Sequence, residues 1–315
     1  MYFAKHETFH IRDGWLYKGL KAVQSEPGIF LEDNAPERLG LGKNMVRALR
    51  FWMQATGLTQ EQFQDRRRVQ TLTEFGKYVL QYDPYQELDG TLWLIHYQLV
   101  SSKGLATTWY WFFNHYSPIT FSYVDFIERL KQWINTQRED GKEVAESSLR
   151  KDFDCLVRTY LSSERNKSPE DLMESPLSTL GLLSTFTEHD EHEGRIRRYR
   201  LESGAVSSIP PLAFLYVLLD QQEKNRPTSS QVTLQEVLRE PMNVGNTFGI
   251  TILTLEDLLM RLEEEGKEFR VRLTRTGQLD NLTLPDIPAN DILRAFYEKQ
   301  KVEEGARVWL PPALR

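Results

Sequence analysis

The stretch from Lys43 to Thr56 constrains this chain more than any other. Met45, Val46, Leu49, Trp52 and Met53 fall at i, i+1, i+4, i+7 and i+8, which is one stripe of an α-helix. Lys43, Arg47, Arg50 and Gln54 recur at spacings of four, three and four on the opposite face, with Asn44 beside them. Leu39-Gly40-Leu41-Gly42 ahead of this segment reads as a tight turn after a short helix, and Gly57 is placed to close the helix. A short helix, a glycine turn and a helix with a basic outer face is the geometry of a helix-turn-helix. There the second helix buries one stripe and offers Arg, Lys, Asn or Gln to a DNA groove.

The continuation fits the same pattern. A polar, hairpin-like stretch carries Arg66, Arg67 and Arg68 and leads to Val69-Gln70-Thr71-Leu72-Thr73-Glu74-Phe75-Gly76, where Thr73 can cap a helix running to about Tyr82. This resembles the wing and closing helix of a winged-helix unit. Lys43, Asn44, Arg47, Arg50, Gln54, Arg66, Arg67 and Arg68 are therefore the candidate contacts to double-stranded DNA. The plain alternative is a solvated amphipathic surface.

The order helix, helix, hairpin recurs twice. Helices over 123–136 and 146–160 flank Asp140-Gly141, and a hairpin follows with arms Leu183–Thr187 and Ile196–Leu201 and a turn over 188–194. After the linker at 225–230 come a short helix near Leu234–Leu238, a turn at Gly245–Phe248, a helix over 255–265 and a hairpin around Thr276-Gly277. The acidic face of that last helix suits it to pairing with a second copy or a partner protein, not to DNA. The expected fold is mainly α with small β-hairpins, an α+β chain of tandem winged helix-turn-helix-like units over residues 1–116, 117–224 and 225–315.

Composition bounds the function. Cys155 is the single cysteine, which excludes a disulfide framework and cysteine-based zinc or iron–sulfur sites, and fits a reducing, cytoplasmic compartment. No run is long and apolar enough for a membrane span, and the N-terminus lacks a signal-peptide core. The net charge of −6 argues against a general nucleic-acid coat. The cations are gathered locally, however, at Lys43–Arg50, Arg66–Arg68 and Arg195–Arg200.

The best candidate for chemistry is the acidic turn Asp83-Pro84-Tyr85-Gln86-Glu87-Leu88-Asp89. Cutting a phosphodiester needs a divalent ion, and Mg²⁺ or Mn²⁺ takes carboxylate ligands. Asp83, Glu87 and Asp89 are the candidate catalytic residues, Asp83 and Glu87 the candidate metal ligands, with His96 and Lys77 nearby. The alternative is a solvated turn ahead of a buried helix starting at Leu92-Trp93-Leu94-Ile95. His189 and His192 read as loop residues, His6 and His10 have nothing beside them to complete a site, and Cys155 lies on an apolar stripe. The run Trp109-Tyr110-Trp111-Phe112-Phe113 reads as core between the first two units. Gly40-Leu41-Gly42-Lys43 lacks the spacing of a phosphate-binding loop, so no nucleotide cofactor is supported.

Several strings, in order along nearly the whole chain, resemble one bacterial family. They are Arg12-Asp13-Gly14-Trp15-Leu16-x-Lys18-Gly19, Leu39-Gly40-Leu41-Gly42-Lys43-Asn44-Met45-Val46 with Trp52, and Asp83-Pro84-Tyr85-x-Glu87 leading to Gly90-Thr91-Leu92-Trp93-Leu94-Ile95-His96. Thr108-Trp109-x-Trp111-Phe112-Phe113-Asn114 and Pro176-Leu177-x-x-Leu180-Gly181-Leu182 complete the set. The chain is similar to the SspB-like proteins, found in gene clusters that put phosphorothioate linkages into DNA and restrict phage. The family pattern places a second acidic residue directly after the glutamate; here Leu88 stands there and Asp89 follows. The resemblance implies a metal-dependent DNA-nicking component, with a cysteine desulfurase, a sulfur transferase and an ATPase as partners. A non-catalytic DNA-recognition scaffold and a winged-helix transcriptional regulator are the other readings.

Overall fold

A computed structural model of the protein describes residues 1–64, 67–137, 143–162, 174–190, 194–202, 206–276 and 279–308. The first third holds α1 (Trp15–Ser25), α2 (Ala35–Leu39), α3 (Lys43–Ala55), β1 (Thr59–Gln64), β2 (Arg67–Leu72), α4 (Glu74–Tyr82), α5 (Asp89–Ser101) and α6 (Thr107–Trp111). Next come β3 (Thr120–Phe121), α7 (Tyr123–Gln137), α8 (Glu146–Tyr160), β4 (Leu183–Asp190), β5 (Gly194–Leu201) and α9 (Pro211–Asn225). The last part is β6 (Gln231–Thr233), α10 (Leu234–Arg239), α11 (Val244–Phe248), α12 (Ile252–Glu265), β7 (Arg272–Thr276), β8 (Leu279–Thr283) and α13 (Ala289–Val308). The chain is an α+β fold of helices with small antiparallel sheets.

Strand order repeats between the second and third sheets. β3, ahead of the helices, pairs with β5, the second strand of the following hairpin, to give β3-β5-β4; β6 does the same in β6-β8-β7. The first hairpin, β1–β2, has no third strand among the described residues. Its register runs from Thr59 opposite Leu72 to Gln64 opposite Arg67.

Local chemistry sets the α3–hairpin–α4 segment. Gly40, at φ +59, ends α2 in the left-handed conformation that favours glycine. At the far end of α3, Leu58 N–H donates to Met53 O (3.1 Å) and Gly57 N–H to Gln54 O (3.0 Å), with Gly57 at φ +68: a Schellman motif. The start of α4 is pinned to that stop. Thr73 Oγ1 accepts from Gly76 N–H (2.9 Å) and donates to Gly57 O (2.6 Å), and Thr73 N–H donates to Leu58 O (3.1 Å). A Cβ on Gly76 would lie 2.0 Å from Leu58 O, so only glycine lets the two ends approach.

Some elements differ from the sequence reading. The second hairpin is longer than expected: β4 runs to Asp190 and β5 starts at Gly194, so His189 sits in a strand opposite Arg195. The rest of that turn, Glu191-His192-Glu193, lies outside the described residues, as do Asp140-Gly141 and Gly277. Gly245–Phe248 is not a turn but belongs to the helical segment α11. Gly245 is there because a Cβ would stand 2.2 Å from Leu238 O, where α10 and α11 meet. On α12 the exposed face carries Asp257, Glu263 and Glu264, with Leu253 and Met260 between them.

One hydrophobic cluster runs from Ile11 to Tyr297. All five aromatics of 109–113 are buried, four of them (Trp109, Trp111, Phe112 and Phe113) in this cluster, and Trp52, Trp93 and Trp109 are among its largest members. His96 ties distant parts of the chain together there. Its Nε2–H donates to Thr247 O of α11 (2.8 Å), which leaves Nδ1 to accept from the Tyr160 hydroxyl of α8 (2.7 Å). Both partners suit the neutral ring, and burial lowers its pKa from 6.5 to about 4. The unfolded chain takes a proton as pH falls through 6.5 and the folded chain only near 4. The stabilisation is thus complete above 6.5 and is lost as pH falls to about 4, amounting to about 3 kcal/mol. Urea unfolding across that window should show the wild type losing more stability than His96→Gln on acidification. Parallel curves would contradict this. No helix among the described residues is long and apolar enough to cross a membrane.

Candidate nucleic-acid interface

The basic face of α3 lines a cleft of about 650 Å³. One wall is α3 with Lys43, Arg47, Arg50 and Gln54; the hairpin contributes Glu61 and Arg68. The N-terminal segment closes another side with Tyr2, Lys5 and Glu7, and Phe30, Glu32 and Asp33 line the remainder. The face is narrower than helical spacing alone suggests. Lys43, Asn44 and Arg47 are exposed, whereas Arg50 and Gln54 are half-buried beneath the hairpin.

Glu61 of β1 explains the difference. Its carboxylate accepts from Arg50 Nε (2.9 Å) and Gln54 Nε2 (3.1 Å), and lies 3.6 Å from Arg68 Nη1. Arg50 is therefore an anchor for the hairpin, with its side chain 25% exposed. Arg47 is 57% exposed, and its one ion pair among the described residues is with Glu7, at 3.8 Å. Arg67 and Arg68 are exposed on β2, and Arg68 lies 5.6 Å from the centre of the Phe63 ring. Arg66 lies outside the described residues. A phosphate approaching this cleft would meet Lys43, Arg47 and Arg68, while Arg50 and Gln54 hold the frame; Asn44 and Arg67 are exposed but do not line it.

The acidic turn is built differently from a ligand cage. Asp83 is buried, and its two oxygens accept from the backbone N–H of Glu87 (2.8 Å) and of Leu88 (3.1 Å). It shapes the loop that carries Gln86 at φ +56 and feeds into α5. Asp89 is the first residue of α5, where a carboxylate complements the helix dipole, and Glu87 is exposed. Among the described residues no three His, Cys, Asp or Glu side chains gather as a metal site. As placed here, Asp83, Glu87 and Asp89 are not gathered into one such group. His96 is buried with both nitrogens engaged, and Lys77 is paired with Glu74 at 2.5 Å.

Sequence spacing gives no sign of the polar cluster that holds the N-terminal wall. Asp152 of α8 accepts from Ala4 N–H (2.7 Å), His6 Nε2 (2.9 Å) and Thr108 Oγ1 (2.5 Å), while His6 Nδ1 accepts from Thr8 N–H (3.1 Å). His6 and Asp152 stand 146 positions apart, and both are buried. Cys155 is buried in the core, and burial raises its thiol pKa well above the ordinary value, consistent with an inert packing role.

Residues 3–297 match a family model described as "Protein of unknown function (DUF4007)". Two solved structures are similar to the chain over most of its length. The "Magnesium ion-bound SspB crystal structure" has a TM-score of 0.82 and 31% identity, covering 95% of this chain and 88% of that one. The "SspB crystal structure" has a TM-score of 0.80 with the same identity and coverage. No curated protein matches the chain. Family match, identity and coverage agree with the fold: the chain belongs to the DUF4007 family and is an SspB-like protein.

Proposed function

We propose that this chain is the DNA-contacting component of a phosphorothioate DNA-modification and anti-phage system. It engages double-stranded DNA through the N-terminal half of α3 and the β1–β2 hairpin, used as a winged helix-turn-helix. Kinship with SspB supports the system. The observation that carries the DNA contact is the cleft, where the exposed Lys43 and Arg47 of α3 and the exposed Arg68 of the hairpin line one opening. Exposed guanidinium and ammonium groups suit a phosphate backbone. The exposed face of α12, with its mixed carboxylates and apolar side chains, is assigned to a second copy or to a sulfur-transfer partner.

A magnesium-bound relative keeps a second reading alive, that of a metal-dependent nickase. The engagement of Asp83 with its own backbone favours recognition without cutting at this turn. Relaxation of supercoiled plasmid by pure protein with Mg²⁺ or Mn²⁺, abolished in Glu87→Ala, would reverse that choice.

The DNA contact is tested with Lys43→Ala combined with Arg47→Ala. Duplex affinity should fall, and the slope of log K against log salt should flatten by about one unit per lost phosphate contact. Arg50→Ala is the poorer probe, because it also releases Glu61 into the cleft. Unchanged affinity and slope in a folded double variant would remove α3 as the DNA contact.

A further inference from the structure

The third basic cluster of the sequence lies on β5, and the α3 reading makes no use of it. In the β4–β5 register His189 faces Arg195, Thr187 faces Arg197 and Ser184 faces Arg200. Side chains alternate along a strand, so Arg195 and Arg197 share the face of Tyr199, and Arg198 and Arg200 the other. Arg198 is half-buried and binds two flanking carboxylates, Asp125 Oδ2 at 3.0 Å and Glu188 Oε2 at 2.7 Å. Arg198 with these two carboxylates sums to one net negative charge, against three positive charges from Arg195, Arg197 and Arg200.

Arg195, Arg197 and Arg200 are exposed, and none is ion-paired among the described residues. The Arg200 guanidinium lies 5.1 Å from the centre of the Phe186 ring, which holds its plane and leaves its N–H edge free. Same-face neighbours on a strand are about 6.6 Å apart, close to two axial steps of roughly 3.4 Å between phosphates on one DNA strand. The exposed part of the hairpin offers three arginines, His189, Thr187, the Phe186 ring and the Arg198-paired Glu188, not the apolar centre that a protein partner needs.

We infer that the β4–β5 hairpin is a second duplex-contacting element. Arg195 and Arg197 on one face, and Arg200 on the other, take phosphodiester oxygens on either side of the hairpin without regard to base sequence. The inference rests on the reading that this protein binds duplex DNA, but it concerns a different surface, and the two can be removed separately.

The test is a salt-dependent titration of a labelled duplex against the full chain. Three proteins are compared with wild type: the triple Arg195→Ala, Arg197→Ala, Arg200→Ala; the same triple to Lys; and Lys43→Ala with Arg47→Ala. The alanine triple should flatten the salt slope by about three units, and the lysine triple should stay close to wild type. A triple to Gln repeats the loss of charge if alanine unsettles the hairpin. Loss of slope in the charge-removed triples, with wild-type binding by the Lys43 and Arg47 variant, would uphold the hairpin and sink the α3 contact. An unchanged slope in those triples overturns the inference whatever the α3 variant does. So does a hairpin that captures poly-glutamate but leaves duplex binding untouched, and a wild type that does not bind duplex overturns both.

Discussion

Trp52→Ala is expected to destabilise the fold by about 3–5 kcal/mol in urea unfolding, as a large-to-small change in a packed core. Trp52 is 0% exposed. Its ring meets Trp109 edge-on at 5.4 Å and Phe51 at 4.9 Å, and stacks on His6 at 6.2 Å. Its Nε1–H donates to Phe9 O at 2.9 Å, so the N-terminal segment also loses a buried donor. The same residue fixes which face of α3 points outward. A folded variant that loses less than about 1 kcal/mol would mean the helix does not pack on this side.

The second large effect belongs to Asp152→Ala, with a cost of about 3–5 kcal/mol, since each buried donor left without an acceptor costs about 1–3 kcal/mol before the segment relaxes. Three donors lose their acceptor together: Ala4 N–H, His6 Nε2–H and Thr108 Oγ1–H. The network also holds a conformationally costly stretch, with Ala4, Glu7 and Thr8 at φ +54, +50 and +71. Without it, residues 1–14 should become sensitive to protease before the rest of the chain opens. Wild-type stability and protease resistance together would show that the segment is held by packing alone.

What was legible in the sequence is what short-range chemistry decides. The stripe of α3, its stop at Gly57, the Thr73 cap and the burial of Trp52 all follow from periodicity and capping within a few residues. Less legible was anything set by a distant partner. Arg50 and Gln54 have the right spacing for a DNA-facing stripe, but the hairpin folds back and brings Glu61 onto them. Asp83, Glu87 and Asp89 are close in sequence, which suggests converging ligands. Asp83 instead turns inward, because the N–H groups of Glu87 and Leu88 lie within reach of its short side chain. Gly245 reads as a breaker, yet it is the contact point between two helical segments. The bond from His6 to Asp152 leaves no trace in spacing at all.

On the proposed function, duplex DNA lies against the N-terminal half of α3. The direct measurement is photo-crosslinking from a probe at Asn44, exposed at the start of α3, compared with a probe at Tyr85, which is 56% exposed on the acidic turn. Carboxylates repel a phosphate backbone, so the turn is the natural control surface. Capture of duplex from position 44, diminishing with salt and absent from position 85, is the expected result. Capture from position 85 with none from position 44 would contradict it and move the DNA to the acidic turn.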